Sequence, residues 1–303
     1  MSTLRINLLG VFRISHDHHH VEIKAGHTLK GILAYLVLFS GRIHAREVLA
    51  GLFWGDSTED HARSCLSTAL WRLRKILEPD GIPKGTYLLT PSAGEVGFNS
   101  ESNHWLDVTE LETHAQPILA KPHQTLVTRE VRELENALEL YSGDLLEGFY
   151  EDWALAERER LRSLYIKSKA HLLGYYGQNG GYDEALACGH CILNLDPLRE
   201  EIHREMMRLY VLCGRRTQAI QQYEKCCKIL DAELGVPPMK ETQALRAQII
   251  ESNAPKQAQS HTHETLTPAH QALKKLYKAM QGFNEVVSEL RQAGELLKKH
   301  LDD

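Results

Sequence analysis

The side chains with the most chemistry in reach are cations. Residues 61–77 carry Arg63, Arg72, Arg74 and Lys75 and no acid, a local positive face of the kind that meets phosphates. Helical spacing of about 100° per residue puts Leu66, Ala69, Leu70, Leu73, Ile76 and Leu77 on one stripe and Ser64, Ser67, Thr68, Trp71, Arg72 and Lys75 on the opposite side. Small hydroxyls let such a helix sit close in a major groove, where Arg and Lys reach guanine edges or phosphates. A merely solvated face would mix signs, and the missing Glu argues for nucleic acid instead.

Other candidates carry less. Cys188-Gly189-His190-Cys191 spells a dithiol motif, but it falls mid-helix, without the βαβ setting that redox enzymes use. His16-Asp17-His18-His19-His20 offers imidazoles to a metal ion, although adjacent histidines in a turn more often bind adventitiously. Cys226 and Cys227 cannot both face one way on a helix. No Ser/His/Asp set or carboxylate pair stands out, so neither an enzyme nor a cofactor is expected, and no metal site is assigned.

The elements around the basic helix define its role. Leu4-Arg5-Ile6-Asn7-Leu8-Leu9, Val11-Phe12-Arg13-Ile14 and Val21-Glu22-Ile23 alternate as strands. Apolar spacing predicts a helix over 29–39, a second over 47–53 and the longer basic one, opened by a Ser57/Asp60 capping-box variant and closed by Pro79-Asp80-Gly81. Tyr87-Leu88-Leu89-Thr90, the turn Pro91-Ser92-Ala93-Gly94 and Glu95-Val96-Gly97-Phe98 then form a hairpin. Helix, helix, basic helix, hairpin is the order of a winged helix over 1–108, with Ser92 at the tip of a wing that would reach the minor groove or backbone.

From residue 109 to 252 only helical periodicity is visible. Tyr176, Gly180 and Ala185 return as Tyr210, Gly214 and Ala219, an offset of about 34 residues, which is the tetratricopeptide period. Pro197 closes the first unit. Two repeats cannot stand alone, so the helix holding Val131, Leu134, Ala137, Leu138 and Tyr141 and another over 153–173 are expected as degenerate earlier units. The fold class is therefore mainly α: an α+β winged helix, an all-α repeat domain, a Pro/Gln/Ser/His-containing linker over 253–268, and a last helix over 269–303. That helix places Leu273, Leu276, Met280, Phe283, Val287, Leu290 and Leu297 at alternating steps of three and four, a coiled-coil seam for self-association or for docking on a partner helix.

Composition sets the limits. With 303 residues, 43% hydrophobic, 25% charged and net charge −5, the chain fits ordinary globular domains and excludes disorder throughout, collagen and a disulfide miniprotein. The charge is uneven: 11 basic against 11 acidic side chains in 1–108, 17 against 23 in 109–252, and 7 against 6 beyond. No apolar run approaches the ~20 residues that cross a bilayer, and the N-terminus lacks a secretory pattern. A cytoplasmic protein with six reduced thiols and no membrane partner is expected.

These blocks together resemble the transcriptional activators of the Streptomyces antibiotic regulatory protein type, an OmpR-like winged helix joined to a bacterial transcriptional activation domain. Leu52-Phe53-Trp54-Gly55-Asp56 followed by Ala62-Arg63-Ser64-Cys65-Leu66-Ser67-Thr68-Ala69-Leu70-Trp71-Arg72-Leu73-Arg74 looks like that family's loop and recognition helix. Leu140-Tyr141-Ser142-Gly143-Asp144-Leu145-Leu146-Glu147-Gly148, Asp152-Trp153-Ala154 with Glu157-Arg158-Glu159-Arg160-Leu161, and Glu233-Leu234-Gly235-Val236-Pro237-Pro238 look like its activation domain. The resemblance spans about residues 4–252. It implies a non-enzymatic activator that binds direct repeats in double-stranded promoter DNA and contacts RNA polymerase, as a homo-oligomer such as a dimer. It also implies that Arg63, Ser64, Ser67, Thr68, Trp71, Arg72 and Lys75 face DNA and that the 54–59 loop, with Trp54, Asp56, Ser57 and Glu59, meets polymerase. The competing class is an adaptor that binds a partner protein through its repeats and last helix without specific DNA binding.

Overall fold

The computed structural model describes residues 3–16, 19–20 and 26–251. The strand expected at Val21-Glu22-Ile23, most of the histidine run, the linker and the heptad-patterned helix lie outside the described residues. In chain order, Leu4–Asn7 (β1), Arg13–His16 (β2) and His19–His20 (β3) lead into His27–Leu38 (α1). His44–Ala45 (β4), Arg46–Trp54 (α2) and Glu59–Leu77 (α3) follow, then Leu88–Leu89 (β5), Glu95–Phe98 (β6) and His104–Leu106 (β7).

Two small sheets bracket the three helices. One runs β3-β2-β1-β7, antiparallel except for the parallel β1–β7 pair, and Leu4, Ile6 and Ile14 bury its inner face. Arg5, on the alternate side of β1, lies over the Trp105 ring at 3.8 Å. The other sheet runs β4-β6-β5, with Leu88 opposite Phe98 and His44 opposite Val96. The expected hairpin is present, and β4 and β7 add two short strands that periodicity did not announce.

Five helices build the core of the repeat region: Thr128–Leu138 (α5), Asp152–Gln178 (α6), Tyr182–Leu195 (α7), Glu200–Leu212 (α8) and Arg216–Leu234 (α9). They are preceded by Asp107–Leu119 (α4) and followed by Lys240–Glu251 (α10). The 34-residue offset is structural. Gly180 and Gly214 take left-handed backbone, φ +80 and +71, a conformation that a Cβ disfavours. The next N–H groups, Gly181 and Arg215, return to the carbonyls of Tyr176 and Tyr210 at 2.9 and 2.7 Å. Ala185 and Ala219, both fully buried, then let the second helix of each pair close on its neighbour. Tyr141, expected within a helix, lies beyond the end of α5 and donates to Asp144 at 2.6 Å. No described helix is long and apolar enough to cross a membrane.

The two regions are joined through a buried carboxylate. Asp107 opens α4 and is fully enclosed; its Oδ2 accepts the N–H groups of Leu8 and Leu9 at 2.8 and 2.9 Å, and Oδ1 that of Val108 at 2.8 Å. Burial pushes its pKa up, against the pull of these N–H groups and of the Asn7 side chain. The loop after α5 then pairs with the same stretch of chain. Gly10 N donates to Asp144 O, Leu146 N donates to Leu8 O, and Ser142 Oγ donates to Leu9 O. A Cβ at Gly10 would meet Ser142 Oγ at 2.6 Å. Arg158 on α6 caps this loop by donating to the carbonyls of Leu145, Leu146 and Phe149.

Two outcomes follow. Asp107→Ala leaves three buried N–H groups without acceptors, at about 1–3 kcal/mol each, so chemical denaturation should show a loss of roughly 3 kcal/mol or more. His44, His171, His190 and His203 all have pKa values lowered chiefly by burial. The unfolded chain then binds protons first as pH falls below about 6.5, so stability is full above that pH and declines beneath it. Asp107 works with the opposite sign, but at lower pH, because its ordinary carboxyl range lies well below that of the imidazoles. A denaturation midpoint that does not fall between pH 7 and pH 5 would contradict this.

Candidate nucleic-acid interface

The buried stripe of α3 consists of Ala62, Leu66, Ala69, Leu70, Leu73 and Leu77, with Ile76 half-buried beside it. Ser64, Thr68, Trp71, Arg72 and Lys75 face outward, and Trp71 is 57% exposed. Thr58 is the N-cap, extended and without a side-chain cap bond, and its carbonyl receives Ala62 N–H. The Ser57 capping box is therefore not formed. Ser57 N–H instead closes the turn behind α2 on Trp54 O at 3.0 Å, while Glu59 and Asp60 sit in the first turn, where the helix dipole favours acids.

Two grooves flank the outward face. Ser64, Thr68 and Arg72 line one of about 340 Å³ with Gly26, Thr28 and Trp54. Arg63 and Ser67 line another of about 180 Å³ with Arg46, Glu47 and the wing residues Ala93 and Gly94. The hydroxyls are turned back on the helix: Ser67 Oγ donates to Arg63 O at 2.8 Å and Thr68 Oγ1 to Ser64 O at 3.0 Å. Each thus offers lone pairs, not a proton, to anything that approaches. Lys75 Nζ lies 4.4 Å from the Trp71 ring centroid, a cation–π contact that keeps the ammonium at the surface. Among the described residues Arg72 makes no ion pair.

The wing is fastened to α2 by a residue that sequence reasoning missed. Arg46 N donates to Gly94 O at 2.8 Å, and its guanidinium reaches Ala93 O at 3.3 Å and Ser67 Oγ at 3.1 Å. One side chain thus sets the spacing of basic helix and wing tip. Ser92 is exposed at that tip.

Three expected site residues stand elsewhere than expected. Arg74 turns inward: it donates to Leu88 O at 3.1 Å and lies 3.8 Å from the buried Glu78 carboxylate. That carboxylate also gathers the N–H groups of Gly85, Tyr87 and Leu88, so Arg74 holds the root of the wing. Glu59 belongs to the first turn of α3, where it holds Arg63 at 2.7 Å. Trp54 is the last residue of α2, half-buried beside Phe53. Of the expected polymerase-contact residues, Asp56 stands exposed in the turn and Ser57 is half-buried there.

The dithiol motif behaves as packing. Cys188 is buried on α7 and its thiol is pushed up to about 11 by burial, far from the range of a reactive thiolate.

Residues 106–250 match the family described as bacterial transcriptional activator domain. The chain is 25% identical over 265 residues to the regulatory protein AfsR of Streptomyces coelicolor, covering 87% of this chain and 26% of AfsR. It is 29% identical over 251 residues to the transcriptional regulator RedD of the same organism, covering 78% and 67%. The family match takes in just under half of the chain, and the sequence is similar to these two Streptomyces regulators. A solved structure of Mycobacterium tuberculosis EmbR, in complex with a low affinity phosphopeptide, superposes with a TM-score of 0.68 at 18% identity, over 93% of this chain and 72% of that one. That likeness shows a shared fold, with a winged-helix-like N-terminal region ahead of the activator domain's helical repeats. The chain spans about a quarter of the length of AfsR.

Arg74 and Arg72 separate structure from surface. Arg74→Ala should lower stability by about 1–2 kcal/mol, since the carbonyl and carboxylate it serves lose a charged donor. Arg72→Ala should stay within about 0.5 kcal/mol. Parallel urea titrations of the two variants check this, and equal losses would mean that Arg72 is also structural.

Proposed function

We propose that this chain is a sequence-specific transcriptional activator: α3 enters the major groove of promoter repeats, the 91–94 wing tip follows the adjacent backbone, and the helical repeats assemble the active complex with RNA polymerase. One observation carries the reading: beyond its first turn α3 has no acid from residue 61 to residue 77, with Arg72 and Lys75 exposed, beside a wing held at a set distance by Arg46. Ser64, Thr68 and Arg72 are the base-edge candidates, Lys75, Arg63 and the Ser92 turn the backbone candidates, and Trp71 packs against a sugar. Arg74 is left out because its donors are engaged within the fold.

Winged helices dock one module per half-site, so repeated sites imply more than one copy of the chain. In this reading residues 1–108 read DNA, 109–252 activate, and 253–303 link and associate copies. The exposed turn at Asp56 is offered to polymerase, and the protein works in the cytoplasm without a cofactor.

Capture of genomic fragments by the purified full chain at about physiological salt tests the reading, beside Arg72→Ala/Lys75→Ala. Enrichment of repeated half-sites upstream of a few genes is expected, and the double variant should lose it. Each phosphate contact removed should also flatten the slope of log affinity against log salt by about 0.9. Folded protein that enriches no fragment, or a variant that enriches the same ones, would turn the reading towards a protein adaptor.

A further inference from the structure

The groove between α2, α3 and the wing holds opposed charges where a DNA-reading face needs positive ones. Arg63 Nη2 stands 3.1 Å from Glu47 Oε1 and 2.7 Å from Glu59 Oε1. Glu47 comes from the first turn of α2 and Glu59 from the first turn of α3, so two elements converge on one guanidinium. The neighbouring cation is also engaged, since Arg46 points to Ser67 Oγ and Ala93 O.

These pairs are poor candidates for stability. The carboxylates are 73% and 76% exposed and Arg63 51%, and ion pairs so open to water contribute about 0–1 kcal/mol. Their effect is on what Arg63 can meet. A phosphate must displace two carboxylates from the guanidinium and then remain beside them, so a loosely placed backbone gains little from Arg63. A duplex seated by base contacts along Ser64, Thr68 and Arg72 holds its phosphate against Arg63 long enough for the exchange to be complete.

We infer that Glu47 and Glu59 form an electrostatic gate on Arg63 that suppresses nonspecific DNA contact and so sets the ratio of specific to nonspecific affinity. The inference rests on the DNA-binding reading above.

The test is a cycle on the full chain. Glu47→Gln/Glu59→Gln is made with Arg63 present and with Arg63→Gln, and affinity for a captured promoter fragment and for a random-sequence duplex is followed across salt. With Arg63 present, the double variant should bind random duplex about fivefold more tightly near 0.15 M salt, with a slope steeper by about 0.9, the effect of one added phosphate contact. Promoter affinity should change less, so the ratio falls. With Arg63→Gln the gain on random duplex should vanish.

A gain that persists without Arg63 would reduce the carboxylates to general surface charge and overturn the gate, as would an unchanged affinity or an unchanged ratio. If wild type binds neither duplex, the DNA-binding reading itself fails and the gate falls with it. If wild type binds and the carboxylates have no effect, only the gate fails.

Discussion

Asp107 is the interaction on which the relation between the two regions depends. A carboxylate removed from water is costly unless it is hydrogen-bonded, and this one is satisfied almost wholly by main chain: Leu8, Leu9 and Val108 N–H, with Asn7 beside them. Because those donors belong to the end of β1 and the start of α4, the charge can be satisfied in only one arrangement of the two. The adjacent chain then becomes a template. Leu8 O and Leu9 O, left facing outward, receive Leu146 N–H and Ser142 Oγ from the loop after α5. Glu78 repeats the device at the other end of the winged helix, gathering Gly85, Tyr87 and Leu88 N–H beneath the wing. Two acids thus order the backbone in which the basic helix is mounted.

The junction is stiffened by shape as well. Leu146 takes φ +49, which is uncommon for a residue with a Cβ, yet it is buried, its N–H is bound to Leu8 O, and its carbonyl is held by Arg158. Surrounding contacts over-determine the strain. Beside it His27 stacks on Phe149 with ring centroids 3.9 Å apart, and Trp153 meets Tyr35 and Phe53 nearly edge-on. Helices α1, α2 and α6 therefore share one aromatic core, which makes the orientation of α3 a property of the repeats as much as of the winged helix. A change at this seam would be felt at the outward face of α3 without touching it.

How much of this was legible follows from the range of each signal. The buried stripe of α3, the 34-residue repeat and the hairpin are local periodicities, and periodicity shows burial directly. Strands β4 and β7 span two and three residues, too short for alternation to register. Arg74 was misplaced because it lies at the border of the helical wheel and its acceptor is a main-chain oxygen 14 residues away. Arg46 was missed for the same reason: its partners are a carbonyl of the wing and a hydroxyl of another helix. Asp107 reads locally as an ordinary acid in a first helical turn, and nothing in its neighbourhood announces donors 98 and 99 residues earlier. Side chain to main-chain bonds across long separations leave no pattern in composition.

The same distinction explains how a winged-helix segment of zero net charge can suit a nucleic-acid polymer. Its acids are not spread evenly over the surface. Asp107 and Glu78 are inside, neutralised by N–H dipoles and, at Glu78, by Arg74, so neither adds much field at the outward face of α3. Glu47 and Glu59 stand at one groove and act on one arginine. From residue 64 to residue 77 that helix carries exposed cations and no acid. Net charge counts all of these equally, whereas an approaching phosphate meets them by position, and steering follows the local field. On the proposed reading, what would suit this surface to DNA is the sorting of a balanced charge set by burial and pairing, which composition alone would have obscured.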